Sequence, residues 1–81
     1  MVDRVWLTVN EEIIIDTTNN TVTIIQTFGN RIEIYDSAEN LVAILQEPHE
    51  IFTLSINTGK YRVKNAGTIN NWLFVVREFV Y

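Results

Sequence analysis

Between Ile51 and Asn65 the chain reads I-F-T-L-S-I-N-T-G-K-Y-R-V-K-N, and apolar and polar residues alternate through it. Phe52, Leu54 and Ile56 take every second place before Asn57-Thr58-Gly59, and Tyr61 and Val63 resume the pattern against Lys60, Arg62 and Lys64. Successive side chains of a strand point to opposite faces, so a period of two marks a strand buried on one side and wet on the other. The spacing predicts two strands joined by a four-residue loop, Asn57–Lys60, with Ile56 opposite Tyr61 and Leu54 opposite Val63. Phe52, Leu54, Ile56, Tyr61 and Val63 would then share a core, with Lys60, Arg62 and Lys64 pointing out.

The rest of the chain has to supply the other wall of that core, and it reads as more strands. Val5, Leu7 and Val9 alternate with Arg4, Trp6 and Thr8. Glu12–Asp16 carries three consecutive isoleucines, whose branched side chains favour a pleated surface over a helix. After the turn-forming Thr17-Thr18-Asn19-Asn20, a strand over Thr21–Phe28 puts Val22, Ile24 and Phe28 on one face and Ile25 among threonines on the other. Gly29-Asn30 reads as a two-residue hairpin loop leading into Arg31–Tyr35, which would pair Ile25 with Ile34 and leave both faces of the hairpin apolar. Either a bulge at Gly29 shifts that register or the second face is covered. Leu41–Gln46 is an apolar strand that Pro48 should end, because proline has no amide to give to a ladder. The polar connection Ala66–Asn71 leads to Trp72–Tyr81, whose two faces are Trp72, Phe74, Val76, Val80 and Leu73, Val75, Phe79, Tyr81.

About eight short strands at intervals of roughly ten residues point to one all-β domain over residues 1–81. The expected architecture is a seven- or eight-stranded antiparallel β-sandwich, with a small antiparallel β-barrel as the alternative. The runs Ile32-Glu-Ile-Tyr-Asp36, Asn40-Leu-Val42, Phe52-Thr-Leu-Ser-Ile56 and Gly59-Lys-Tyr61-Arg-Val63 resemble the strand-and-turn grammar of small bacterial immunoglobulin-like or fibronectin-like modules. That resemblance implies a sandwich and a non-catalytic role, and it carries over no site residue.

Composition narrows the function. A formal charge of -4 argues against a general nucleic-acid binder, whose affinity comes from neutralising phosphates. The start, Met-Val-Asp-Arg-Val-Trp, has no basic segment followed by a long apolar run, so a signal peptide is not expected, and no apolar run approaches the roughly 20 residues of a membrane helix. A soluble or already processed protein is expected, at a virion or extracellular surface if at a surface at all. With no cysteine there is neither a disulfide nor a thiolate metal site.

Catalytic chemistry finds no constellation. His49, the only histidine, lies between Glu47 and Glu50 and reads as a loop histidine in water; a zinc site would need carboxylates from distant strands. Ser37 and Ser55 have no glycine-framed elbow, and the loops around Asp16…Asn19-Asn20 and Asp36…Glu39-Asn40 lack the spacing of a dedicated calcium loop. No cofactor, metal ligand or catalytic residue is assigned.

Two surfaces remain. Lys60, Arg62 and Lys64 line one face of a strand and could meet a polyanion or a partner's carboxylates, or simply be a solvated face that discourages pairing if the strand lies at an edge. Trp72–Tyr81 is apolar on both faces, broken only by Arg77 and Glu78. One face can enter the domain's own core, and the second must be exposed or meet another subunit. The candidate interface is Trp72, Phe74, Phe79 and Tyr81 with Phe28 and Tyr35 from the Gly29 hairpin. The leading expectation is therefore a non-catalytic structural or protein-interaction module that acts by assembly, as a homo-oligomer or with other protein subunits, for example in a virion decoration or surface structure. The alternative is a carbohydrate-binding module in which Trp6 and Trp72 face the ligand rather than the core.

Overall fold

Eight strands run through residues 1–80, which the computed structural model describes. They are β1 (Val2–Leu7), β2 (Glu12–Asp16), β3 (Asn20–Gln26), β4 (Ile32–Tyr35), β5 (Leu41–Leu45), β6 (Ile51–Leu54), β7 (Lys60–Asn65) and β8 (Asn71–Phe79). Two four-stranded antiparallel sheets result, sheet A in the order β1-β8-β3-β6 and sheet B in the order β2-β7-β4-β5. Among the described residues no helix is long and apolar enough to cross a membrane.

The pairing is nested. β4 pairs with β5, β3 with β6, β2 with β7 and β1 with β8, so the chain is one long hairpin folded about the loop between Tyr35 and Leu41. Additional ladders, β3 with β8 and β4 with β7, join the nested pairs into sheets. This is the eight-stranded jelly roll, a sandwich as expected but without the immunoglobulin strand order.

Alternation decides what is buried. In sheet A, Leu73 and Val75 of β8 face inward beside Val22 and Ile24 of β3, and Leu54 of β6 and Leu7 of β1 complete that wall. Sheet B answers with Ile15, Ile32, Ile34, Leu45 and Val63, all buried. Each such side chain contributes about 1.5–3 kcal/mol when fully removed from water.

Two sequence-based pairings are overturned. Ile51–Asn65 is not a hairpin: β6 lies in sheet A and β7 in sheet B, and the turn after Leu54 crosses between them. Leu54 pairs with Val22, and Tyr61 with Ile15, while Phe52 and Tyr61 pack on the core and Ile56 is half-buried in the turn. Gly29-Asn30 is likewise no hairpin loop, since β3 and β4 belong to different sheets and Ile25 pairs with Ile51 and Phe74 instead of Ile34. Both segments face one core from opposite sides, and alternation is the same whether two strands share a sheet or oppose each other across it. A bulge does occur, at Ile34/Tyr35 against β5.

The two crossovers that replace those hairpins are fixed by polar groups. Thr17, fully buried, donates its hydroxyl to Gly59 O at 2.7 Å and accepts from the amides of Thr58 and Gly59 at 3.0 Å each. One hydroxyl thus ties the β2–β3 turn to the β6–β7 turn. Thr17→Val keeps the shape and removes the partner of the Thr58 and Gly59 amides, while Gly59 O keeps the bond from the Thr17 amide at 3.1 Å, so we expect a loss of about 1–2 kcal/mol. Chemical denaturation should show a lower midpoint with an unchanged slope, and Thr17→Ser should retain most of the stability.

Candidate interaction surfaces

The two outer faces of the sandwich have opposite chemistry. On sheet A the ladder sets Val2 beside Val76, Arg4 beside Phe74 and Trp6 beside Trp72, and carries the rows on to Thr23, Ile25, Thr53 and Ile51. Trp6 is 45% exposed, Ile51 58% and Val2 62%. The Trp6 and Trp72 rings lie 4.9 Å apart, tilted by 58°, and the Arg4 guanidinium sits 4.6 Å above the Trp72 ring. This is a contiguous apolar and aromatic surface with one cation on it.

Sheet B shows mostly charge instead, with the exposed Ile14 and Leu41 among it. Lys60, Arg62 and Lys64 all point away from the core, as the alternation requires, but β7 lies inside the sheet and not at its edge. Arg62 donates Nη1 to Glu12 at 2.7 Å and Nη2 to Glu39, and stacks on the Tyr35 ring at 4.8 Å. Lys60 faces Asp16 across the ladder, and Lys64 lies between Glu12 and Glu33. The Tyr35 hydroxyl donates to Glu33 at 2.6 Å and Arg31 Nε donates at 2.8 Å, which together hold the Glu33 carboxyl below its ordinary range. In return the Tyr35 hydroxyl is pushed above its usual value. The three cations are thus compensated by neighbouring carboxylates and do not form a basic patch.

The candidate interface residues are not brought together. Trp72 and Phe74 lie on the outer face of sheet A, half-buried; Phe79 is exposed near the end of β8, and Phe28 is exposed in the β3–β4 crossover. Tyr35 is on the other side of the molecule beneath Arg62. Tyr81 lies outside the described residues. Trp6, Ile25 and Ile51 were not among those candidates, yet they share the surface of Trp72 and Phe74. Parity could have found Trp6, since it alternates with Val5 and Leu7, but only the β8 neighbour shows that the two tryptophans touch.

Inside, one end of the sandwich is closed by amides. Asn65 donates to Leu7 O at 2.9 Å and Ile69 O at 2.8 Å, and its Oδ1 accepts from Asn30 Nδ2 at 2.9 Å and the Gly67 amide at 3.0 Å. Asn71 donates to Gln26 Oε1, and Gln26 Nε2 to Asn30 O. Gln26, Asn65 and Asn71 are fully buried, and here they bond one another and the backbone. A recess of about 150 Å³ between Val42, Phe52, Leu54, Thr58 and Tyr61 is smaller than the roughly 300 Å³ or more of a typical ligand pocket. Among the described residues no three histidine, cysteine or carboxylate side chains gather as a metal would need, and His49 lies exposed in the β5–β6 turn.

No protein-family model matches this chain, and no curated protein matches it. Solved structures do. The Drosophila melanogaster CENP-C cupin domain superposes with a TM-score of 0.72 at 16% identity, over 96% of this chain and 56% of that one. Drosophila melanogaster CENP-C bound to CAL1 gives 0.73 at 16% identity, over 96% and 61%. The chain therefore spans less than two thirds of the chains it matches. At that identity the likeness shows the fold, a cupin-type jelly roll, and it corrects the expected immunoglobulin-like resemblance: a Gly-x-Tyr-x-Val strand serves either sandwich equally well.

Proposed function

We propose that this domain is a non-catalytic protein-interaction module that works by assembling with other protein subunits through the outer face of sheet A. The observation that carries this is the run of Trp6, Trp72, Phe74, Ile25 and Ile51 on a domain whose other broad face is mostly charged. Removing such a patch from water is favourable in proportion to the apolar area covered. A binding role is also supported by the state of the polar groups: the carboxylates of Asp16, Asp36 and Glu50 are held by turn amides, and the interior amides by one another. The neighbouring CENP-C structure is of a complex with a second protein, CAL1. Protein is favoured over carbohydrate because Arg4 covers the Trp72 ring and Trp6 leans against it at 58°, so the pair presents no flat platform to a sugar. A building block of a virion or cell-surface structure is one form such a module takes, and jelly rolls serve in capsids.

The test is a photo-crosslinking amino acid placed at Phe74 on sheet A or at Ile14 on the outer face of sheet B, in the cells that make the protein. Protein adducts of whatever identity are expected from the Phe74 position and not from Ile14. Adducts from Ile14 alone, or from neither, would overturn the assignment.

A further inference from the structure

The geometry points to a second copy of this chain as the occupant of the sheet A face, packed about a twofold axis that crosses β8 at Val75. This rests on the reading above that the face is an interface. What favours a like partner is the placement of Arg4 and Glu78, the only two charged side chains that the described residues put on this outer face and its margin. Both are exposed, and among the described residues neither makes an ion pair. Glu78 is three residues beyond Val75 along β8 and Trp72 three residues before it, about 10 Å on either side at roughly 3.3 Å per residue. An axis lying in the interface, perpendicular to β8 at Val75, brings each Glu78 over the other copy's Trp72. The Arg4 guanidinium lies there, 4.6 Å above the Trp72 ring. The same operation sets Phe74 against Val76 of the other copy, so the centre is apolar and each end carries one salt bridge. An isologous interface must be self-complementary in this way.

Area gives the class of contact. Four strands about 4.8 Å apart, over roughly six residues, give about 400 Å² of projected face per copy. At about 800 Å² for the two copies together, the pair falls below the roughly 1,000 Å² of a stable specific interface and belongs with weak, transient associations. Sedimentation velocity should thus run from about 1 µM to about 1 mM. The average mass is expected to rise from 9.4 kDa toward twice that value. Arg4→Glu and Glu78→Arg, each of which turns both symmetric attractions into repulsions, should each weaken dimerisation about tenfold. The double variant should recover to within about threefold of wild type. Both positions are exposed, and unchanged circular dichroism will confirm that the variants fold. A mass of 9.4 kDa throughout, with Phe74 still crosslinking to another protein, would overturn the second copy and leave the face as an interface. Dimers whose double variant is no better than the singles would overturn the twofold pairing.

Discussion

Replacing Gly67 with alanine is expected to destabilise the domain by about 3 kcal/mol or more, a large part of the 5–15 kcal/mol that domains typically possess. A Cβ on Gly67 would overlap Oδ1 and Cγ of Asn30. That amide cannot swing aside, because Nδ2 donates to Asn65 Oδ1 and Ile69 O at 2.9 Å each and Oδ1 accepts from the Thr68 amide at 3.2 Å. The methyl must therefore displace backbone or break the network. Thermal melts should fall by roughly 12–24 °C, at about 4–8 °C per kcal/mol for a domain of this size. A double-mutant cycle separates overlap from any intrinsic effect of alanine. Asn30→Ala opens the space, so Gly67→Ala should cost much less in that background, and strict additivity would mean that the clash is not the cause.

The second large effect is expected at Asn65. Its four hydrogen-bonding positions are all occupied, two by carbonyls that need donors. Asn65→Asp keeps the shape and turns an acceptor toward Leu7 O and Ile69 O, at a cost of about 4 kcal/mol at neutral pH. The penalty should also depend on pH. Burial and two facing carbonyl oxygens raise the introduced carboxyl's folded pKa above its unfolded value, so its protonated form can donate to one carbonyl. A group raised in this way contributes its stability below the unfolded pKa and loses it as pH rises. The native carboxylates run the other way. The amides of Thr18, Asn40 and Gln46 hold Asp16, Asp36 and Glu50 below their ordinary values, and the Tyr35 hydroxyl does so for Glu33. Those groups withdraw stability as pH falls, in wild type and variant alike. Denaturation of both proteins at about pH 4 and pH 7 should therefore show a smaller gap between them at the lower value. A gap that grows on acidification would overturn this account of the site.

Strand positions and buried parity were legible in the sequence, because both are local. Leu54, Tyr61 and Val63 face the core as their alternation says, and Lys60, Arg62 and Lys64 face out. Partners were not legible. Only β4 and β5 form a hairpin between consecutive strands, and every other ladder joins strands separated by at least two others. Local turn rules therefore misassigned Gly29 and the Ile51–Asn65 stretch. The same gap scattered the candidate surface: Tyr35 and Trp72 are both outward-facing aromatics, but which sheet each belongs to depends on long-range pairing. One signal went unused. Gln26, Asn65 and Asn71 fall at buried-parity places, in step with Val22 and Ile24, with Val63, and with Leu73 and Val75, as a buried polar network requires.

The nested pairing also orders the cost of folding. Tyr35 and Leu41 close a short loop, whereas Val2 must find Val76 across almost the whole chain. Closure entropy rises only logarithmically with loop length, but a topology dominated by distant partners still folds slowly. Zipping outward from the Asp36–Asn40 tip would place β1 last, and β1 has a single neighbour, β8. The strand that joins last is then also the cheapest to release: its departure would uncover the β8 margin while most of the jelly roll stays intact, so hydrogen exchange at Val2–Leu7 should outpace that of β3 and β7.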